Sequence, residues 1–310
     1  MKLTAKIKLV TLPKQADALK RTLESANAAC DHISTIAWES KTFSQFSLHK
    51  LAYANTRAAS PGLSSQVVIR CEAKVADAYK LDKKTQRRFR KHGAIAYDDR
   101  ILSWKMDAST VSIWTVDGRM TLSFVGGKRQ RDLLKTRQGE SDLALVKGVF
   151  YLLSTCEVES PEPADVSDYL GVDLGIANIA TDSDGETHSG LHVKSVRYRH
   201  RRLRQKLQKK QTKSASRRLR KLSGKEHRFA TDVNHCVSKR IVAKAQRTGR
   251  GIAVEDLGGI RTRVRARKPH APSKGHLRAT LHSWSFFQIR SFVEYKAVQA
   301  GVPVVAEATL

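Results

Sequence analysis

Two apolar runs constrain this chain more than any other feature. GVDLGIANIATD, residues 171–182, and GIAVEDL, residues 251–257, are rich in the aliphatic residues of central strands, yet each holds a carboxylate, Asp173 or Glu255, among apolar neighbours. Burying an unpaired carboxylate in such a strand is costly, so each acid needs a cation or hydrogen bonds to hold it. Either acid alone is weak evidence, because an Asp at a strand end more often caps a turn and Asp256 beside Glu255 shows that acids are tolerated there. Together they make sense if two strands of one sheet bring both acids to a shared edge. There, a pair of hard oxygen donors suits Mg²⁺ or Mn²⁺.

The elements around these runs fix an order. GVDLGIANIATD reads as one strand, followed by a turn at Ser183-Asp184-Gly185 and a shorter strand in ETHSGLHV. Leu203 and Leu207, then Leu219 and Leu222, mark a long helix or helical pair, and a further helix runs through Val233, Val237, Ile241, Val242 and Ala245. GIAVEDL is broken by Gly258-Gly259, and RTRVRARKPHAPSKGH reads as a basic loop. The amphipathic helix SWSFFQIRSFVEYKAVQA and the strand VPVVAEA follow. The order of acid-bearing hairpin, helices, acid-bearing strand and helix is that of an RNase H-like α/β domain.

Ahead of this lies a different pattern. Leu3, Ala5, Ile7 and Leu9 alternate with Lys2, Thr4, Lys6 and Lys8, which predicts a strand with one buried face. Helices are predicted over about 14–38, with Pro13 in the first turn, and from Ser64 or Ser65 through Tyr79, with KKTQRRFRKHG after them as a basic loop. RILSWKM, the hairpin STVSIWTVDGRMTLSFV turning at Asp117-Gly118, and GVFYLLSTCEV supply strands. SPEPADVSD ends the apolar periodicity and marks a boundary near 159–168. The expectation is an α+β, β-barrel-like N-terminal domain with a helical insertion over 1–160, and an RNase H-like domain over 161–310.

Charge narrows the partners. The 310 residues include 57 Lys and Arg against 29 Asp and Glu, a formal net charge of +28, and such a field attracts polyanions, of which nucleic acid is the commonest for a soluble chain. Lys and Arg crowd residues 194–250, where Glu226 and Asp232 are the acids; an ordinary solvated face mixes both signs. Arg197, Arg201, Arg204, Arg217, Arg218 and Arg220, and beyond Glu255 Arg261, Arg263, Arg265 and Arg267, are candidate phosphate clamps, because the guanidinium fork matches two oxygens at once. Tyr198 and Phe229 are candidates for stacking on bases. Trp284, Phe286, Phe287, Phe292 and Tyr295 recur at helical spacing and read as core. Cys30, Cys71, Cys156 and Cys236 form no C-x-x-C pair and read as scattered buried thiols, so no zinc site is expected, and no chemistry is assigned to His200, His227 or His235. No apolar run reaches the roughly 20 residues of a membrane span, and MKLTAKIKLV lacks a signal-peptide core, so a cytoplasmic protein is expected.

GVDLGIANIATDSDG, IAVEDLGGIR and LHSWSFFQIRSFVEYKAVQAGVPVV resemble the first RuvC motif, the second RuvC motif and the region before the zinc ribbon of the TnpB (OrfB) proteins of bacterial insertion sequences, relatives of the type V CRISPR effector nucleases. The likeness is strongest over 171–305; the N-terminal part resembles the family's wedge and recognition region more loosely. The resemblance implies a transposon-encoded, RNA-guided DNA endonuclease that binds DNA and a guide RNA from its own locus, with Asp173 and Glu255 as catalytic metal ligands for Mg²⁺ or Mn²⁺. In that family a zinc ribbon and a third acid follow the strand matching VPVV, whereas this sequence ends at AEATL. The expectation is therefore a C-terminally truncated member with impaired cleavage. The alternatives are an active Mg²⁺-dependent endonuclease with a substitute ligand, for which Glu307 is in principle within reach, and a generic basic nucleic-acid scaffold. Glu294 reads as a helix-surface residue pairing with a nearby Lys or Arg.

Overall fold

Strand β1 (Lys2–Val10) buries Ala5, Ile7 and Leu9 and leaves Lys2, Lys6 and Lys8 in solvent, as its period of two requires. It lies at the middle of the first of two compact units, Met1–Val158 and Glu159–Leu310, in a computed structural model that describes residues 1–257, Trp284 and 286–308. After β1 come α1 (Pro13–Glu39), with Pro13 in its first turn, α2 (Gln45–Ala59) and α3 (Ser65–Leu81), whose N-cap Ser64 accepts from the Val67 amide. Then follow β2 (Ile95–Tyr97), β3 (Leu102–Lys105), β4 (Thr110–Thr115), β5 (Gly118–Val125), α4 (Lys128–Leu134), β6 (Arg137–Val146) and β7 (Val149–Glu157).

The seven strands run in the order β2-β6-β7-β1-β5-β4-β3, so β2 and β3 are opposite edges of the sheet, yet a connection of a few residues joins them. The sheet must therefore curl until its edges approach, and Tyr97 of β2 donates its hydroxyl proton to the carbonyl of Trp114 in β4, 3.2 Å away. The result is a nearly closed, barrel-like sheet with α1, α2 and α3 inserted between β1 and β2. Four elements escape sequence reading: α2, β2, α4 and β6. The β6–β7 hairpin turns on Lys147 and Gly148, both at positive φ (53° and 81°), the geometry of a type I′ turn that Asn-Gly would have advertised and Lys-Gly does not.

In the second unit, GVDLGIANIATD is not one strand. It is β8 (Tyr169–Asp173) and β9 (Asn178–Asp182), antiparallel to each other and joined by residues 174–177. The fold-back suits Gly175, where a Cβ would meet the Asn178 carbonyl oxygen at 2.9 Å. ETHSGLHV supplies the short β10 (Thr187–Ser189), and its last residues already open α5 (Leu191–Lys210). The helix expected through Val233–Ala245 is continuous with the second of the basic pair, giving the single 36-residue α6 (Lys213–Thr248): no proline occurs in this span, and Leu222, Gly224, Ala230, Asn234 and Val237 carry one buried face across the polar stretch. β11 (Gly251–Asp256), α7 (Phe286–Ala300) and β12 (Val304–Ala308) complete the described elements.

The second sheet runs β10-β9-β8-β11-β12, with β8, β9 and β10 antiparallel in succession and β11 and β12 parallel to β8. Parallel pairing demands crossovers, which α5 with α6 supplies between β10 and β11. Leu170, Val172, Ile252 and Val254 pack with Ile241, Val242 and Ala245 of α6 and Ile289, Val293 and Ala297 of α7. The whole is a mixed α/β structure, and no helix among its described residues is long and apolar enough to cross a membrane.

Candidate functional site

The parallel register of β8 and β11 pairs Val172 with Val254. Both valines are buried, and Asp173 and Glu255 are the next residue in each strand, at adjacent strand ends and on the face opposite the valines. Asp173 is exposed and Glu255 half-buried. The expectation of a buried Asp173 is thus corrected: β8 ends at this residue, and among the described residues its side chain is exposed. Beyond it, β12 runs parallel to β11 with Glu307 as the register partner of Glu255. Among the described residues no cluster of three or more His, Cys, Asp or Glu side chains forms a ready-made metal cage.

Arg290 of α7 braces the end of β11. Its Nη1 donates to Asp256 Oδ1 at 2.5 Å and its Nε to Glu294 Oε1 at 2.8 Å. Glu294 is thereby the helix-surface ion-pair partner that its i, i+4 position suggests.

A second acidic group was not singled out from the sequence. Asp182, at the end of β9, is buried, and its Oδ1 accepts the amides of Asp184 (3.1 Å) and Glu186 (2.9 Å). Lys244 of α6 reaches Asp182, Asp184 and Glu186 at 2.5, 3.1 and 3.4 Å, and Arg250 grips Asp184 with both Nη atoms at 2.9 and 2.6 Å. Burial pushes the Asp182 pKa up, but the Lys244 ammonium and the Glu186 amide outweigh it and hold the carboxyl below its ordinary range. Arg250, then Lys244, hold Asp184 lower still. The acids of TDSDGE are visible in sequence; the lysine 58 or more positions away that neutralises them is not.

The candidate arginines divide by environment. Arg201, Arg217, Arg218 and Arg220 are exposed along α5 and α6, antiparallel neighbours joined through Gln211 and Thr212. Arg204 is ion-paired with Glu226, which also lies 3.8 Å from His200 Nδ1. Arg197 is half-buried with its guanidinium 4.6 Å above the Trp284 ring, and among the described residues its Nε and Nη1 have no hydrogen-bond partner. Burial lowers its pKa, offset in part by Glu226. Arg261, Arg263, Arg265 and Arg267 lie outside the described residues.

Tyr198 is 55% exposed, whereas Phe229 packs against the core and edge-on to His192. The aromatic stripe of α7 is core in part: Trp284 is buried and Phe292 and Tyr295 half-buried, but Phe287 is 83% exposed because it falls on the helix face opposite Ile289 and Val293. The side chain of Phe286 lies outside the described residues. Cys30, Cys71 and Cys156 are buried free thiols, but Cys236, on the outer face of α6, is exposed. His235 stacks on Phe292 with ring centroids 3.9 Å apart.

Residues 154–258 match the OrfB family model of IS605-type elements, described as a probable transposase. The TnpB-like protein MJ0751 of Methanocaldococcus jannaschii is 28% identical over 153 residues, covering 46% of this chain and 53% of that protein; the chain thus spans about half the length of this curated relative. A cryo-EM structure of a Cas12f1–sgRNA–target DNA complex matches in fold with a TM-score of 0.58 at 12% identity, over 94% of this chain and 72% of the other. From β7 to β11 the chain is thus similar to the OrfB family of probable transposases and to a TnpB-like protein, and it shares a fold with Cas12f1.

Proposed function

We propose that the protein is an RNA-guided DNA-binding protein of nuclease descent, whose second unit holds a divalent cation on Asp173 and Glu255. The observation that carries this reading is the register of Val172 with Val254, which brings both acids to one edge of a sheet. The strand order, three antiparallel strands followed by two parallel to the first, supports an RNase H-like (RuvC) assignment for this unit. The barrel-like sheet with inserted helices supports a wedge- and recognition-like role for 1–160.

The donor set fits Mg²⁺, which takes one or two carboxylates and fills its remaining positions with water and substrate phosphate; exposed Asp173 leaves room for both. A bound ion would steady charge on the phosphodiester oxygens and activate water. The chain's own residues do the rest: rigid strand ends fix the two carboxylates, Arg290 holds Asp256 aside, and the exposed arginines of α5 and α6 draw in the backbone. Phosphate contacts carry no sequence information, so selectivity falls to base pairing with a guide RNA. The relative in the matched complex is bound to an sgRNA and target DNA.

The test measures thermal stability of the purified protein against Mg²⁺ concentration and sequences the RNA that copurifies. Expected are a Mg²⁺-dependent rise in Tm that Asp173→Ala and Glu255→Ala each diminish, and one defined transcript from the neighbouring locus. An unaltered Mg²⁺ response in both variants sinks the metal site, and random cellular RNA sinks the guide. Mg²⁺-dependent DNA cutting that Asp173→Ala abolishes would show the endonuclease to be fully active.

A further inference from the structure

Residues 82–93 of the first unit join α3 to β2 without helix or strand, yet they are pinned along their length to one polar stripe of α1. Glu24, Asn27, Asp31, Ser34 and Thr35 recur at helical spacing and each holds a point of the segment. Gln86 Nε2 donates to Thr35 Oγ1 (3.1 Å), Ser34 Oγ donates to the Arg87 carbonyl (2.6 Å), and the Phe89 amide donates to Asp31 Oδ1 (2.8 Å). His92 Nε2 meets Glu24 at 2.7 Å, and Asn27 Nδ2 donates to the Gly93 carbonyl at 2.9 Å. Tyr79 Oη accepts the Arg87 amide at 3.2 Å, and Phe89 packs on the core beneath Lys74.

This anchoring gives the segment a period of two. Arg87 and Phe89 turn inward, while Arg88 and Arg90 are exposed, with Lys83 and Lys84 exposed ahead of them. The acids alongside are already engaged: Asp82 by Arg87, Asp31 by the Phe89 amide, and Glu24 by Lys91 and His92. Two other exposed cations of the same unit, Lys80 and Lys135, sit instead on the carboxylates of Asp77 and Asp132. Side chains two apart on an extended chain are separated by about 6.6 Å, comparable with the spacing of successive phosphates on one nucleic-acid strand.

We propose that this strap, with Lys83, Lys84, Arg88 and Arg90 facing out, is a preformed cradle for the phosphodiester backbone of a single nucleic-acid strand. Its rigidity matters because guanidinium groups on a backbone already ordered lose less freedom on binding than those on a loop that must order first. The cradle fixes position and reads no sequence.

The test uses the full chain with RNA and DNA single strands of one sequence, measuring Kd across a salt series. Arg88→Ser/Arg90→Ser should weaken binding and lower the slope of log Kd against log salt by about 1.4, at roughly 0.7 per charge. Lys80→Ser/Lys135→Ser, which removes the same charge from the same unit, should leave the slope within error. Asp31→Ala, which unpins Phe89 while keeping every cation, should weaken binding several-fold with the slope unchanged. The strand type that responds identifies the occupant as RNA, DNA or either. Equal slopes for the two double variants, or an Arg88→Ser/Arg90→Ser protein that binds like wild type, overturns the cradle. A wild-type chain that binds neither strand overturns the proposed function with it, so the two failures are distinguishable.

Discussion

Glu72 shows how much one residue's fate depends on a single neighbour. It is fully buried on α3, with Oε2 held 2.8 Å from His49 Nδ1 and Oε1 without a hydrogen-bond partner among the described residues. Burial pushes its pKa up, and the His49 contact opposes that shift. His49→Ala should therefore destabilise the protein by about 1–3 kcal/mol, the usual cost of stranding a buried polar group, read as a lower urea midpoint. Glu72→Gln in that background should recover part of the loss. Nothing in the sequence distinguishes Glu72 from a solvated helix acid. The same limit applied to Asp173, whose residue type and place at a strand end were legible, but whose exposure depends on where the neighbouring strand stops. Phe287 belongs here too: helical spacing put it in the aromatic stripe, and only the packing direction of α7 turned it to solvent.

Elements are secured to one another by charge as well as by apolar packing. The β9–β10 turn is tied to the end of α6 by Lys244 and Arg250 on Asp182, Asp184 and Glu186. Because these contacts depress the Asp182 and Asp184 pKa values, their stabilisation is complete above the unfolded carboxyl pKa of about 4 and fades as pH falls through the lower folded values. Wild type should therefore melt higher than Asp184→Asn at neutral pH, and the difference in Tm should shrink steadily below about pH 4. A gap that stays constant down to strong acid would show the network to be idle. Of the elements themselves, β1, α1, α3, the β4–β5 hairpin, β7, β11, α7 and β12 follow from periodicity. The missed α2 carries exposed Phe46 and Leu51 and so shows a blurred apolar face, and β2 is three residues long, too short to have a period.

At the scale of the whole molecule, the formal net charge of +28 is the basis for a prediction about binding to a polyanion. Replacing exposed Arg201, Arg217, Arg218 and Arg220 by Ser should lower the salt slope of duplex DNA binding by about 3 to 4, at roughly 0.9 per charge, while leaving Tm almost unchanged. A lowered Tm with an unchanged slope would assign these residues to structure. The sequence by itself determined the net charge and most of the element types, through periods of two and 3.6, because both are sums over local residues. It also located the pair of acids whose strands the structure sets side by side. Tertiary structure alone decided the register of Val172 with Val254, the curl that brings β2 towards β3, the unbroken length of α6, and the pairing of Arg204 with Glu226. Those outcomes depend on residues far apart in the chain meeting in space, and no local pattern encodes such meetings.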